Sequence, residues 1–406
     1  MIHFKTKPLH LLSLILLPIA PIFAQGIDIN HYSFIHTSAD TLKFYGTATD
    51  DFSVLLDKSK KIHNGQYEQL RIVHIGDSHI QGGHLDNYMR TLIKSSSALC
   101  ERGFIFPYPI AQSNNPANYR VNYGGQWSSL RGAIATSKFE MGLNMVTVSS
   151  SDPTAWLQIQ QETLSPSTCP FSRIRLFHSI HNSPTVRILQ KDNVLHQFTN
   201  DELGYTLFLL KEPMTDVGIA FDFNVKKHQS ITIHGISLEN DSAGFSYSAI
   251  GANGAEITTL LRSDLLEGQL LALRPDLIIL SFGTNDVYRN TPFDAQNFQK
   301  QYQLLLNRIR GILPSVAVLL TTPGDALYNK TTPMPELQQA VHAILDVATT
   351  NHCAVWDFYT IMGGYGSIKQ WFDAGLTNSD KLHFLRAGYE IQATLLYQAL
   401  TPYLSH

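Results

Sequence analysis

Residues 71–83, RIVHIGDSHIQGG, run an apolar, strand-like stretch into Gly76-Asp77-Ser78 and on into the first turn of a helix. The residues that follow, GHLDNYMRTLIKSSSAL (83–99), place Leu85, Met89, Leu92 and Ile93 at helical spacing. The unit therefore reads strand, corner, helix, with an unhindered serine on the corner. The same alternation returns in the C-terminal half. RPDLIILSFGTNDVY (274–288) is a continuous apolar strand ending at Gly283, and FQKQYQLLLNRIRGIL (298–313) is an amphipathic helix. SVAVLLTTP (315–323) then reads as strand, PELQQAVHAILDVATTNH (335–352) as helix, CAVWDFY (353–359) as strand and RAGYEIQATLLYQALTPYL (386–404) as a closing helix. Strands apolar on every residue, alternating with helices, predict a mostly parallel sheet covered on both faces: an α/β fold with three layers, α/β/α.

Between these two halves the texture changes. NYRVNYGG, LNMVTVSSS, AWLQIQQ, SRIRLFHSI, TVRILQ, YTLFLLK, VGIAFDFN and SITIHGISLEN are short, roughly alternating, and separated by Gly, Pro, Asn and Asp. They predict an all-β sandwich of about eight strands, inserted into the α/β domain because α/β signals lie on both sides. The expected boundaries are 25–112 and 244–406 for the α/β domain and 113–243 for the insert.

The first 24 residues, with Lys5 and Lys7 before an apolar run broken by Pro18 and Pro21 and ending at Ala24, predict a signal peptide and an exported, periplasmic product. No later stretch reaches the roughly 18 apolar residues of a spanning helix. No cysteine follows the apolar run closely enough for a lipid anchor. Cys100, Cys169 and Cys353 are too few for a disulfide scaffold, allow one bridge at most, and are too scattered for a zinc site. With 44% hydrophobic and 16% charged residues and a formal net charge of −3, the chain shows no global bias toward nucleic acid.

Four fragments carry candidate chemistry. Ser78 stands at the carboxyl end of a strand and the amino end of a helix, in the crevice where open α/β sheets bind ligands. Asn285 ends a second central strand and can offer its amide to a developing oxyanion. Gly251, in SAIGANGAEI (248–257), is read as a loop glycine able to expose its N–H to the same place. Asp380 and His383, three residues apart before the last helix, have the spacing for a carboxylate to fold back onto an imidazole Nδ1–H, leaving Nε2 to face the serine. Taken singly each has a plainer reading: a helix cap at Asp77 or Ser78, a turn at Asn285-Asp286, a tight turn at Gly251, a cap and a surface histidine at the end. The order is more specific than any member.

That ordered set resembles the SGNH (GDSL-type) hydrolases, with Ser78, Gly251, Asn285, Asp380 and His383 at the matching positions; His79 departs from the common Gly-Asp-Ser-Leu. The whole layout is similar to the bacterial peptidoglycan O-acetylesterases, in which a carbohydrate-binding-like β-sandwich interrupts the SGNH domain. The resemblance implies a serine esterase that removes O-acetyl groups from cell-wall peptidoglycan. It would use a Ser78-His383-Asp380 triad and a covalent acetyl-enzyme, with the oxyanion held by Ser78, Gly251 and Asn285 and no metal or organic cofactor. An acetylesterase for another polysaccharide such as xylan, an O-acetyltransferase and a non-enzymatic glycan-binding protein are the alternatives. Tyr365 and Trp371 in MGGYGSIKQWF (362–372), and Tyr123, Trp127 and Arg131 in NYGGQWSSLRG (122–132), are candidate sugar contacts beside their plainer reading as packing.

Overall fold

The structure, a computed structural model, describes residues 28–96, 99–162, 168–288 and 292–404. The segment read as a signal peptide lies outside them. The α/β part is built on strands β1 (Leu42–Phe44), β2 (Gln69–Gly76), β3 (Leu99–Glu101), β4 (Gly244–Gly251), β5 (Leu277–Ser281), β6 (Ala317–Thr321) and β7 (Ala354–Trp356). Their order across the sheet is β1-β7-β6-β5-β2-β4-β3. Only the β1 edge is antiparallel; the other pairs are parallel.

Period-2 alternation sends each strand's side chains to opposite faces, and both faces are apolar. Ile72, Leu277, Ile279, Ala317 and Leu319 join one buried cluster. It is completed by helices α1 (Ala48–His63), α2 (Ser78–Gln81), α3 (His84–Ser96) and, at the C-terminal end of the chain, α7 (Arg386–Leu404). Val73, Ile75, Ile278, Leu280, Val318 and Leu320 join the other, completed by α4 (Ile257–Leu261), α5 (Ala295–Ile312) and α6 (Glu336–Asn351). The expected three-layer α/β/α arrangement is what forms.

Between β3 and β4 the chain builds two antiparallel sheets. One has four strands, in the order 185–188, 216–222, 156–161, 119–124. The other runs 194–200, 205–214, 171–178, 231–239, 146–150, 128–131, with Gly103–Ile105 pairing on 231–239. The second apolar cluster of the α/β sheet continues without a break into this β module, through Phe104, Phe106, Tyr108, Leu143 and Met145.

One sequence expectation is corrected here. Gly251 is not a loop residue but the last residue of strand β4, paired in register with Gly76 of β2. Gly76 in turn pairs with Ser281 of β5. The carboxyl ends of three neighbouring strands therefore finish level with one another.

Among the described residues no helix is long and apolar enough to cross a membrane. Cys169 and Cys353 are buried thiols.

Candidate active site

Leaving β2 at Gly76, the chain turns sharply because glycine permits close approach. A Cβ at Gly76 would sit 2.8 Å from the Ser281 carbonyl oxygen and 2.6 Å from Ile80. Asp77 caps the short helix α2, its Oδ1 accepting the His79 N–H at 2.9 Å. Ser78 follows at the first helical position, part-exposed, with the helix N-terminus beside it.

From the far end of the chain, the loop before α7 delivers the partners. His383 Nε2 is 2.9 Å from Ser78 Oγ, and His383 Nδ1 is 2.8 Å from Asp380 Oδ2. Asp380 Oδ1 also accepts the backbone N–H groups of Leu382 and His383, both at 3.0 Å. Partial burial would raise the Asp380 carboxyl; the imidazole and the two N–H donors outweigh it and hold the group below the ordinary carboxylate range. Asp380 is thus kept as an anion facing the ring. This alignment of hydroxyl, imidazole and carboxylate suits proton removal from the serine by Nε2.

Asn285 lies in the one-turn helix 284–287 after β5 and lines the same cleft. Its amide is already engaged: Nδ2 donates to Asp77 Oδ2 at 3.1 Å and to the Ala255 carbonyl at 3.0 Å. Asp77 is buried, and that burial raises its carboxyl to about 6 against the opposing pull of the His79 N–H and of His383. Beside Ser78, His79 has its Nδ1 3.0 Å from the Tyr389 hydroxyl and its ring 5.2 Å from that of His383. Desolvation, then the neighbouring His383, hold His79 well below the usual histidine range, so it stays neutral.

Gly251 does not reach the cleft. It is buried behind the serine turn, where a Cβ would meet the Gln81 nitrogen at 2.3 Å and the Asp77 carbonyl oxygen at 2.7 Å. The glycine on the cleft wall is Gly254, three residues on, at φ +75.

The cleft around Ser78 has a volume of about 610 Å³. Besides Ser78, His383 and Asn285 its walls include Asn114, Asn115, Asn253, Asn378, His84 and Tyr389, and among the described residues no Lys, Arg, Asp or Glu side chain lines it. A narrow cavity of about 40 Å³ beside Asp77 and His79 is too small to take a sugar ester. Sequence reasoning missed the amide wall. Asn253 and Gly254 stood inside the fragment quoted for Gly251, but Asn114 and Asn115 come from a loop whose spacing carries no signal.

The aromatic candidates divide. Trp371 is fully buried, packed on Phe358 and Phe384, with its indole N–H on the Met362 carbonyl, and is core. Tyr365 is exposed on a separate groove with His36 and His342. Trp127 donates to the Gly124 carbonyl, Tyr123 is exposed, and Arg131 clasps the carbonyls of Ala111 and Gln112. None of these lines the Ser78 cleft. Among the described residues no group of three or more His, Cys, Asp or Glu is placed to hold a metal ion.

Residues 237–391 match the GDSL-like lipase/acylhydrolase family. That bears out the resemblance read from the sequence. A structure reported as "Peptidoglycan O-acetylesterase in action, 5 min" superposes with a TM-score of 0.75 over 89% of this chain and 99% of its own, at 22% identity. The chain thus has an SGNH-type fold with an additional β module. Two further structures overlap only 38% of the chain. One is a lipase/acylhydrolase from Enterococcus faecalis, at TM-score 0.32, 23% identity and 75% of its own length. The other is an acetyl xylan esterase, at TM-score 0.31, 23% identity and 80% of its own length. No curated protein matches the chain in sequence.

Proposed function

We propose that this chain is a serine esterase that removes O-acetyl groups from peptidoglycan. The observation that carries the proposal is the 2.9 Å approach of Ser78 Oγ to His383 Nε2, with Asp380 2.8 Å behind the ring. In this reading Ser78 attacks the acetyl carbonyl carbon while His383 takes the hydroxyl proton. The tetrahedral intermediate collapses as His383 passes that proton to the departing sugar oxygen, leaving an acetyl-enzyme. A water deprotonated by His383 then attacks the acetyl carbon; Ser78 leaves, reprotonated, and acetate is released. Asp380 keeps Nδ1 protonated and stabilises the imidazolium.

The developing oxyanion is assigned to the Ser78 N–H, the Asn285 amide and a glycine N–H. Because Gly254 lines the cleft and Gly251 does not, the glycine role moves to Gly254. Asn285 must share or release one of its two present acceptors to serve. A neutral, amide-lined cleft suits the hydroxyl and amide groups of a sugar better than a long acyl chain. Support also comes from the shared fold with a peptidoglycan O-acetylesterase over nearly the whole chain.

The test is acetate release from O-acetylated peptidoglycan, with acetylated xylan as comparator. Wild type should release acetate preferentially from peptidoglycan, and Ser78→Ala should lose up to roughly 10⁶-fold in kcat. Near-normal release by Ser78→Ala would overturn the mechanism, and preference for xylan would overturn the substrate. Transfer of the acetyl group from Ser78 to the hydroxyl of an added sugar acceptor in place of water would make the protein a transferase.

A further inference from the structure

Three segments that build different walls of the cleft meet on one buried side chain. Gln81 closes α2, three residues after Ser78, and is 2% exposed. Its Nε2 donates to Ser113 Oγ at 2.7 Å and to the carbonyl and Oδ1 of Asn114 at 3.0 and 3.1 Å. Its Oε1 accepts the Asn253 N–H at 2.7 Å. Asn253 Nδ2 closes the circuit, donating to Asn114 Oδ1 at 2.6 Å and Ser113 Oγ at 3.3 Å.

What this circuit holds is specific. Asn114, Asn115 and Ala117, from the stretch of chain that leads into the β module, form one side of the cleft; Asn253 and Gly254 form another. Arg131 grips the start of the 112–117 loop through the carbonyls of Ala111 and Gln112. An amide buried without partners costs stability, whereas here both ends of the Gln81 amide are satisfied, and by cleft-forming loops only. The backbone of α2 does not need it, since Gly82 N–H and Gly83 N–H already close the turn on the Ser78 and Ile80 carbonyls.

We propose that Gln81 is a positioning residue for the sugar side of the reaction. It fixes loops 112–117 and 252–255 against the serine turn, so that the exposed Asn114 holds the sugar whose oxygen departs from the acetyl group, while Asn115, its amide turned onto the Pro116 and Tyr119 carbonyls, braces the loop. This rests on the esterase reading above. Gln81→Glu divides the circuit: a carboxylate still accepts the Asn253 N–H, but turns an acceptor toward the Asn114 carbonyl and breaks the arm to loop 112–117.

The experiment measures kcat and KM for O-acetylated peptidoglycan fragments and for 4-nitrophenyl acetate, in wild type, Gln81→Ala, Gln81→Glu and Asn114→Ala, with thermal unfolding of each. Misplacing the sugar wall should raise KM for the glycan and lower the glycan-to-nitrophenyl ratio of kcat/KM by ~10-fold or more in all three variants. A folded Gln81 variant that loses both substrates equally, or keeps the wild-type ratio, overturns the role. Asn114→Ala alters an exposed loop tip and carries the test if Gln81 variants do not fold; an unchanged ratio there overturns it too. Wild type that cleaves the nitrophenyl ester but not the acetylated glycan would instead overturn the esterase-on-glycan reading beneath it.

Discussion

Ser78 sits where a short helix starts because Asp77, not the serine, caps it, which leaves the hydroxyl unused by the backbone and available to His383. The cap has a second duty, since Asp77 Oδ2 accepts the Asn285 amide. Removing that amide with Asn285→Ala should cost roughly 10²–10³-fold in kcat with KM little changed, as loss of one oxyanion donor does; an equal rise in KM would mean it binds ground state instead. Asp77 itself pays for its position in stability. Its carboxyl is raised by burial to about 6, so between pH ~4 and ~6 the folded chain binds a proton that the unfolded chain releases, and stability falls as pH rises through this window. Asp77→Asn should remove that component, gaining on wild type by up to roughly 3 kcal/mol between pH 4 and pH 8 in urea unfolding, while slowing turnover by loosening Asn285. A difference independent of pH would show that Asp77 is not the titrating group. Single residues also set the limit of what the sequence disclosed. Ser78, Asn285, Asp380 and His383 stood out because each ends an element or has a partner at fixed spacing. Gly251 was given a donor's role because it read as a loop glycine and fell in the order the resemblance requires; it ends a strand, and its missing Cβ admits the backbone of the serine turn. Trp371 could be read as a sugar contact or as packing because a buried and an exposed indole are identical letters; its burial against Phe358 and Phe384 decides for packing.

The elements meet at one level because β2, β4 and β5 pair in register up to Gly76, Gly251 and Ser281. Inside the sheet a polar chain runs across four adjacent strands. The Tyr247 hydroxyl on β4 lies 2.6 Å from His74 Nδ1 on β2, His74 Nε2 lies 2.6 Å from Ser281 Oγ on β5, and Thr321 on β6 donates to Ser281 at 2.8 Å. Burial depresses His74 to about 3. Its folded pKa lies below the unfolded value, so its contribution is complete above pH ~6.5 and is lost as pH falls toward 3. Tyr247→Phe should orphan a ring nitrogen and cost about 1–3 kcal/mol in chemical unfolding at pH 7, and His74→Gln should flatten the acid limb of the stability profile. An unchanged acid limb would place the acid sensitivity elsewhere. Strand β4 is also where sequence reading fell short. GFSYSAIG alternates serine with aromatic residues, a pattern of half-exposed strands, yet it lies buried between β2 and the edge strand β3 of the sheet. Its neighbours there tolerate small polar side chains because Ser248 Oγ accepts the Phe104 N–H. β5 and β6, apolar on nearly every residue, were legible for the opposite reason.

Seen as a whole, the molecule is less divisible than its sequence texture suggests. The change from alternating α/β units to short β-strands was plain in the chain, but which apolar residues face one another across that change was not, since a core position reads alike on either side. In the structure a single cluster joins Val73, Ile75, Ile278 and Leu280 of the α/β sheet to Phe104, Phe177, Leu176 and Ile236 of the β module. Phe104 stands at the join, its N–H donating to Ser248 Oγ of β4 at 3.0 Å. It is 1% exposed, and its ring stands 2.0 Å from where a Cβ at Gly235 would be, so glycine there is what admits the ring. A shared core of this kind should make the two parts unfold together rather than in sequence. The four tryptophans provide reporters, Trp127 and Trp156 in the β module and Trp356 and Trp371 in the α/β part. With one pair replaced by phenylalanine at a time, fluorescence from the remaining pair should give coincident urea midpoints. Phe104→Ala should then lower both midpoints together, by about 3–5 kcal/mol of stability. Midpoints that separate, or a Phe104→Ala effect confined to the Trp127 and Trp156 signal, would show that the β module folds on its own.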